Sequence, residues 1–83
     1  MHEELPIQWL VEGQSVRGRY RGRRFYEVED IGRVFLDTDD GPRAVGGNNN
    51  LSRQLEAMNP ADGDLLLVAR VSDDSYHLVR EVD

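Results

Sequence analysis

The sequence predicts a small all-β domain, a β-barrel of five antiparallel strands with one short helix between strands three and four. The first observation is size: the chain has 83 residues, 39% of them hydrophobic, and no cysteine, which leaves room for a single core. The second is the alternation of side chains along several segments, which is the period of a β-strand. The third is one segment with helical spacing, placed between the strand-like runs.

The first predicted strand covers residues 15–25 and carries half of the positive charge. Its Val16, Gly18, Tyr20 and Gly22 alternate with arginines, so we expect the two sets to lie on opposite faces. The two glycines predict a bend or a β-bulge within this strand. Five arginines with no carboxylate among them form what we call the arginine stripe: Arg17, Arg19, Arg21, Arg23 and Arg24.

The remaining strands are predicted from apolar runs and the turns between them. Four further strands are expected, at residues 31–37, 43–45, 65–71 and 76–82. An Asp-Asp-Gly-Pro turn at 39–42 joins the first two of these, and a polar turn at 72–75 joins the last two. Each pair is therefore expected to form an antiparallel hairpin.

The helix is predicted at residues 51–58. Its Leu51, Leu55 and Met58 follow the spacing i, i+4 and i+7, which places them on one helical face. The asparagines that precede it suit an N-cap, and Asn-Pro at 59–60 ends it.

Residues 1–12 are predicted to form an N-terminal flap that packs on the barrel, which comprises residues 13–83. The flap has the pattern of neither a signal peptide nor a membrane span, and we expect a cytoplasmic protein. Its Trp9 has two interpretations. A small domain needs its apolar residues for the core, which favours Trp9 as a plug at one open end of the barrel. The alternative is an anchor that contacts a partner.

Several short motifs, in this order, resemble the OB-fold. They are Gly-Gln-Ser-Val-Arg-Gly-Arg-Tyr at 13–20, Phe-Leu-Asp-Thr at 35–38, Gly-Asn at 47–48 and Gly-Asp-Leu at 63–65. Over residues 13–82 the chain is similar to the small OB-fold modules of phage and archaeal replication proteins, which bind single-stranded DNA. The resemblance implies a binding face on strands two and three and their flanking loops. It also implies an aromatic residue near the end of strand three, where this chain has Ala-Val-Gly-Gly at 44–47.

The arginine stripe and its neighbouring aromatic residues are the candidate binding site. Alternate strand residues repeat every ~6.6 Å, a spacing suited to the phosphates of an extended single strand. Arginine binds phosphate through a fork of N–H groups, and aromatic rings stack on bases. The predicted nucleic-acid-binding residues are Arg17, Arg19, Arg21, Arg23, Arg24, Phe25, Tyr26, Phe35 and Arg43. Two competing interpretations are an arginine-lined surface that binds a protein, and a solvated strand face whose arginines pair with carboxylates of the same molecule, such as those at 27–30.

The sequence indicates no metal site, cofactor or catalytic centre. The acidic turn that begins at Asp37 places Gly41 and Pro42 where an EF-hand loop needs an acidic or amide ligand and then glycine. His2 and His77 are too few and too far apart for zinc. No catalytic triad, phosphate-binding loop or paired-carboxylate motif is present, and we expect a protein that is not an enzyme.

The overall charge leaves two functions open. A formal net charge of -6 and a sequence pI of about 4.8 argue against a protein whose whole surface grips a phosphate backbone, but not against a local basic stripe. The first hypothesis is a module that binds single-stranded nucleic acid, DNA before RNA. The alternative is an acidic protein-interaction module, such as a small complex subunit or a phage-encoded inhibitor of a host enzyme, whose partner has a basic face. A homodimer is compatible with either.

Overall fold

A computed structural model describes residues 5–82, apart from the side chain of Glu27. It contains one six-stranded sheet and one α-helix. The elements are β1 (Ile7–Gln8), β2 (Ser15–Tyr26), β3 (Ile31–Thr38), β4 (Gly41–Gly47), α1 (Asn49–Met58), β5 (Leu65–Arg70) and β6 (Tyr76–Arg80). A short 3-10 turn, Glu27–Glu29, joins β2 to β3.

The strands are arranged in the order β1-β4-β3-β2-β5-β6. All neighbouring strands are antiparallel except β1 and β4, which are parallel. The all-β class and the single helix between the third and fourth predicted strands are confirmed. The predicted five strands correspond to β2–β6. The sixth strand, β1, lies in the predicted flap. It has only two residues, too few to show the alternating pattern by which a strand is recognised in a sequence.

The long strand β2 bends as its glycines predict. Its first part pairs with β5, and its second part pairs with β3. Between Tyr20 and Arg23 the register shifts. These two residues are three positions apart in β2, but their partners in β3, Leu36 and Val34, are only two positions apart, so β2 contains one extra residue. Gly22, within this bulge, has a φ of +122°, a conformation that favours glycine. The bulge reverses the alternation of side chains along the rest of β2.

The core lies between the inner face of the sheet and α1. Fully buried side chains from β3, β4 and β5 meet those of two helical leucines and one residue of the N-terminal segment. They are Leu10, Val34, Leu36, Val45, Leu51, Leu55, Leu66 and Val68. The burial of Leu51 and Leu55 confirms the apolar helical face read from the sequence.

The helix α1 is capped at both ends by asparagines. The side chain of Asn48 accepts hydrogen bonds from the backbone N–H groups of Asn50 and Leu51. Asn59 adopts the left-handed conformation and donates its N–H to Leu55 O at 2.8 Å. Within residues 5–82, no helix combines the length and the apolar character needed to cross a membrane.

Two side chains of α1 cover the outer edge of β6. Gln54 accepts a hydrogen bond from the Leu78 N–H at 3.0 Å and donates one to Tyr76 O at 2.7 Å. Asn50 accepts a hydrogen bond from the Tyr76 N–H at 2.8 Å. Among residues 5–82 the two edge strands, β1 and β6, do not pair with each other, so the sheet is not closed by strand pairing. The helix therefore satisfies backbone groups that a neighbouring strand would otherwise bind.

The N-terminal segment contributes Leu10, and not Trp9, to the core. Leu10 is 1% exposed, whereas Trp9 is 47% exposed. This corrects the favoured interpretation of Trp9 as a plug. Arg70 holds the segment in place, because its Nη1 donates to Leu10 O at 2.7 Å. The prediction of a flap over residues 1–12 can be examined only from residue 5, since residues 1–4 lie outside the described part of the chain.

Candidate nucleic-acid interface

The outer face of β2, β3 and β4 brings two arginines together. In the strand register, Arg24 of β2 is the direct partner of Arg33 of β3, and Arg33 is the partner of Gly46 of β4. Direct cross-strand partners have side chains on the same face. We call Arg24 and Arg33 the arginine row.

Trp9 lies beside the arginine row, over Gly46. A Cβ atom at position 46 would lie 2.5 Å from two carbon atoms of the Trp9 ring, so the indole contacts the strand where a side chain is missing. The parallel pairing of Ile7 with Ala44 and of Gln8 with Val45 brings Trp9 to this position. The ring therefore covers the end of β4, where the OB-fold resemblance implies an aromatic residue and the chain has glycine.

Two further aromatic residues share this face, and they differ in exposure. Tyr26 follows Arg24 by two residues in a regular stretch of β2 and is 43% exposed. Phe35 follows Arg33 by two residues and is only 6% exposed, opposite Ala44. Tyr26 therefore offers ring surface to a ligand, whereas Phe35, predicted as a stacking residue, has little ring surface left to offer.

The arginine row places two like charges on directly paired strand positions. Like charges directly opposite each other on neighbouring strands are destabilising. The Nε atom of Arg33 is also buried and has no hydrogen-bond partner among the described residues. A buried donor without an acceptor typically costs about 1–3 kcal/mol. An anion bound at the row would lower the repulsion between the two guanidinium groups.

Two arginines of the arginine stripe form ion pairs within the molecule. Arg17 binds both carboxylate oxygens of Glu81 through Nε and Nη2, and this contact raises the pKa of Arg17. Arg21 donates from Nε to Asp37 at 2.7 Å and from Nη1 to Asp62 at 2.9 Å. The hydrogen bond with Asp37 is the main cause of the raised pKa of Arg21. For Arg17 and Arg21 the competing interpretation, pairing with acidic residues of the same chain, describes the structure.

The stripe is also divided between the two faces of the sheet. Arg19 pairs with Asp37 in register and donates from Nη1 to Gly63 O at 3.3 Å. Arg23 pairs in register with the core residue Val34, so the bulge turns it to the inner side of the sheet. The prediction that Arg23 shares a face with Arg17, Arg19 and Arg21 is therefore wrong.

Two other predicted residues lie apart from the row. The ring of Phe25 packs against the core and contacts the strand at Gly32. Arg43 donates from Nη1 to Pro42 O and borders an open hollow of about 420 Å³, which Arg17 and Asp39 also line. Neither Phe25 nor Arg43 is placed to act together with Arg24.

Sequence reasoning missed Arg33 and assigned Trp9 no place on this face. Arg33 precedes Phe35 by two residues within a predicted strand, so the alternation that placed Phe35 on the outer face also applies to Arg33. The position of Trp9 left no comparable signal, because it depends on the parallel pairing of a two-residue strand with β4.

The described residues hold no group of three or more histidine, cysteine or acidic side chains that could bind a metal ion. His77 is exposed on β6, and His2 lies outside the described residues. Comparison of the chain with known protein families, with curated proteins and with solved structures found no match in any of the three.

Proposed function

We propose that this protein is a non-catalytic module that binds single-stranded nucleic acid on the outer face of β2, β3 and β4. The observation that carries the proposal is the arginine row: Arg24 and Arg33 are direct partners on one face, and within residues 5–82 the buried Nε of Arg33 has no acceptor. Two neighbouring guanidinium groups suit a phosphate, because their N–H groups bind phosphate oxygens with charge-assisted hydrogen bonds.

The strand connections support an OB-type organisation as part of this proposal. The five strands β2–β6 lie in the order β4-β3-β2-β5-β6, and α1 connects β4 to β5. An OB-fold is a partly open Greek-key barrel that binds oligonucleotides on the face of its second and third strands. Those two strands correspond here to β3 and β4, which hold Arg33 and Gly46.

The mixture of charge and aromatic surface favours a single strand over a duplex. A single strand exposes its bases, and Tyr26 at 43% exposure offers a ring on which a base can stack. Stacking tolerates any base because every base has a π-face, so we expect little sequence preference. DNA is the first candidate, and RNA of the same sequence is the comparison.

The test is a fluorescence anisotropy titration of a labelled ~20-nucleotide single strand, a length that exceeds the roughly 4–16 nucleotides that one OB domain covers. We expect binding that weakens as salt increases and that duplex DNA does not displace. Arg33→Gln should weaken binding and reduce the slope of log affinity against log salt by about 0.7, the contribution of one phosphate contact on a single strand.

Arg53→Gln is the matched control, because it removes the same charge from an exposed position on α1. It should leave both the affinity and the salt slope unchanged. Circular dichroism establishes that each variant is folded. The proposal is overturned if the wild-type protein does not bind the single strand at low salt, or if Arg33→Gln and Arg53→Gln behave alike.

A protein partner with a basic face is the second candidate. The observation that favours it is the exposed acidic surface of two hairpin turns, at Asp39 and Asp40 and at Asp73 and Asp74. A titration without nucleic-acid binding at low salt would support this candidate. The direct check is a pull-down that compares the wild-type protein with Asp39→Asn/Asp40→Asn, in which a genuine partner should be lost from the variant.

A further inference from the structure

Trp9 combines a fixed position with an exposed ring. It is the only tryptophan of the chain, and it remains 47% exposed although the next residue, Leu10, is 1% exposed. A small domain gains stability by burying its largest apolar side chains, so an exposed indole next to a buried leucine requires another explanation.

The ring of Trp9 packs directly against the backbone at Gly46, where no side chain stands in the way. A Cβ atom at position 46 would meet three ring carbons of Trp9 at 2.5–2.8 Å. One face of the indole is therefore held against the strand, and the exposed part is directed away from it. β1 holds the residue in place from one side, and the hydrogen bond from Arg70 to Leu10 O holds the chain from the other. A ring fixed in this way can stack on a ligand with little loss of conformational entropy.

The arginine row separates Trp9 from the second exposed aromatic residue. From Gly46, the row crosses β3 at Arg33 and β2 at Arg24, and neighbouring strands lie about 4.8 Å apart. Tyr26 lies two residues further along β2, about 6.6 Å away. The two aromatic positions are thus on the order of 12 Å apart across the sheet, and the strand positions between them are those of Arg33 and Arg24.

We infer that Trp9 is a nucleobase-stacking residue and that the face accommodates about three consecutive nucleotides. One base stacks on Trp9, the phosphates that follow bind Arg33 and Arg24, and a later base stacks on Tyr26. This inference rests on the proposed function and specifies its ligand: a short single strand that enters over β4 and leaves over β2.

The test uses the intrinsic fluorescence of Trp9, which no other tryptophan obscures. The probes are thymidine monophosphate and oligothymidylates of increasing length. We expect quenching of Trp9 by the oligomers, protection of Trp9 from acrylamide in the bound state, and a steep gain in affinity up to about three nucleotides. Tyr26→Leu should retain the quenching and weaken binding, because the ring at Trp9 is unchanged.

Two variants act on Trp9 by different routes. Trp9→Leu removes the indole and should weaken binding of the ~20-nucleotide strand about 5- to 150-fold. Gly46→Val retains the indole, but the valine side chain fills the space that the ring occupies and displaces it. This variant should weaken binding to a similar degree. Trp9→Phe, which preserves an aromatic ring, should fall between Trp9→Leu and wild type. Val82→Ala, at an exposed valine beyond the end of β6, is the control and should bind as the wild type does.

The outcomes separate this inference from the proposed function. If the wild-type protein binds the ~20-nucleotide strand and folded Trp9→Leu binds it equally well, the inference is overturned and the proposed function stands. Unchanged acrylamide quenching of Trp9 in the bound state also overturns the inference. If the wild-type protein does not bind the long strand, both proposals fail.

Discussion

Arg23 donates a hydrogen bond from Nη1 to the hydroxyl group of Tyr20 at 2.9 Å, three residues earlier in the same strand. In a regular strand, residues three apart lie on opposite faces, so this contact depends on the bulge between them. The bulge turns Arg23 away from the face that bears Arg19, brings Arg24 onto that face instead, and gives the Tyr20 hydroxyl, on a residue that is 7% exposed, a hydrogen-bond partner.

Arg23→Leu should lower stability and leave nucleic-acid affinity unchanged. The variant deprives the Tyr20 hydroxyl of its donor, which should cost about 1–3 kcal/mol of unfolding free energy. Urea denaturation measures the loss, and Tyr20→Phe in the same background completes a double-mutant cycle for the hydrogen bond. A large drop in affinity with normal stability would show that Arg23 contacts the ligand after all.

Gly22→Ala should destabilise the protein through the bulge. Its φ of +122° is strained for a residue with a side chain, and we expect a loss of about 1–3 kcal/mol. Ser15→Ala, in the same strand and exposed, is the control and should have an effect below about 0.5 kcal/mol. Equal denaturation midpoints for Gly22→Ala and the wild type would contradict the requirement for glycine.

Gln54→Ala should expose the outer edge of β6. The variant removes the acceptor of the Leu78 N–H and the donor to Tyr76 O, at a cost of about 1–3 kcal/mol. Amide hydrogen exchange at Leu78 should accelerate, and aggregation should increase because an uncovered strand edge can pair with another molecule. Glu56→Ala, exposed on the same helix, should change neither quantity. Unaltered exchange at Leu78 in Gln54→Ala would show that the side chain does not protect this edge.

Arg70→Lys should loosen the N-terminal segment. Arg70 donates to the backbone oxygens of Leu10, Ser72 and Asp73, and its guanidinium lies 5.9 Å from the centre of the Tyr76 ring. Lysine retains the charge but cannot reproduce this fork, and we expect a loss of about 1–3 kcal/mol. Acrylamide should quench Trp9 more readily in the variant. Arg80→Lys is the control. Equal quenching of Trp9 in both variants would show that Arg70 does not help to hold Trp9 in place.

Arg17→Gln and Arg21→Gln should change affinity for a single strand by no more than about twofold to threefold, because carboxylates already occupy both guanidinium groups. Each removes the same charge as Arg33→Gln, which should have the larger effect. The anisotropy titration at two salt concentrations makes the comparison. If these two variants weaken binding as much as Arg33→Gln does, the whole arginine stripe contacts the ligand, as the sequence predicts.

Local patterns were sufficient for most secondary structure. The alternation in β2, the apolar spacing of Leu51 and Leu55, and the Asp-Gly turn after β3 each report a preference that acts over a few residues. These local preferences agree with the folded structure because the apolar faces that the patterns indicate are the ones buried in the core. The short strand β1 escaped prediction because its pairing with β4 leaves no periodic signal in two residues.

The sequence by itself determined the element types, the approximate strand and helix boundaries and the presence of a bend in β2. The tertiary structure decided which arginines share a face. A one-residue bulge moves each later side chain of the strand to the opposite face of the sheet. The position of the bulge depends on the pairing of β2 with β3. Only the fold brings Arg24 opposite Arg33 and Trp9 onto Gly46, because these contacts join residues that are distant in the chain.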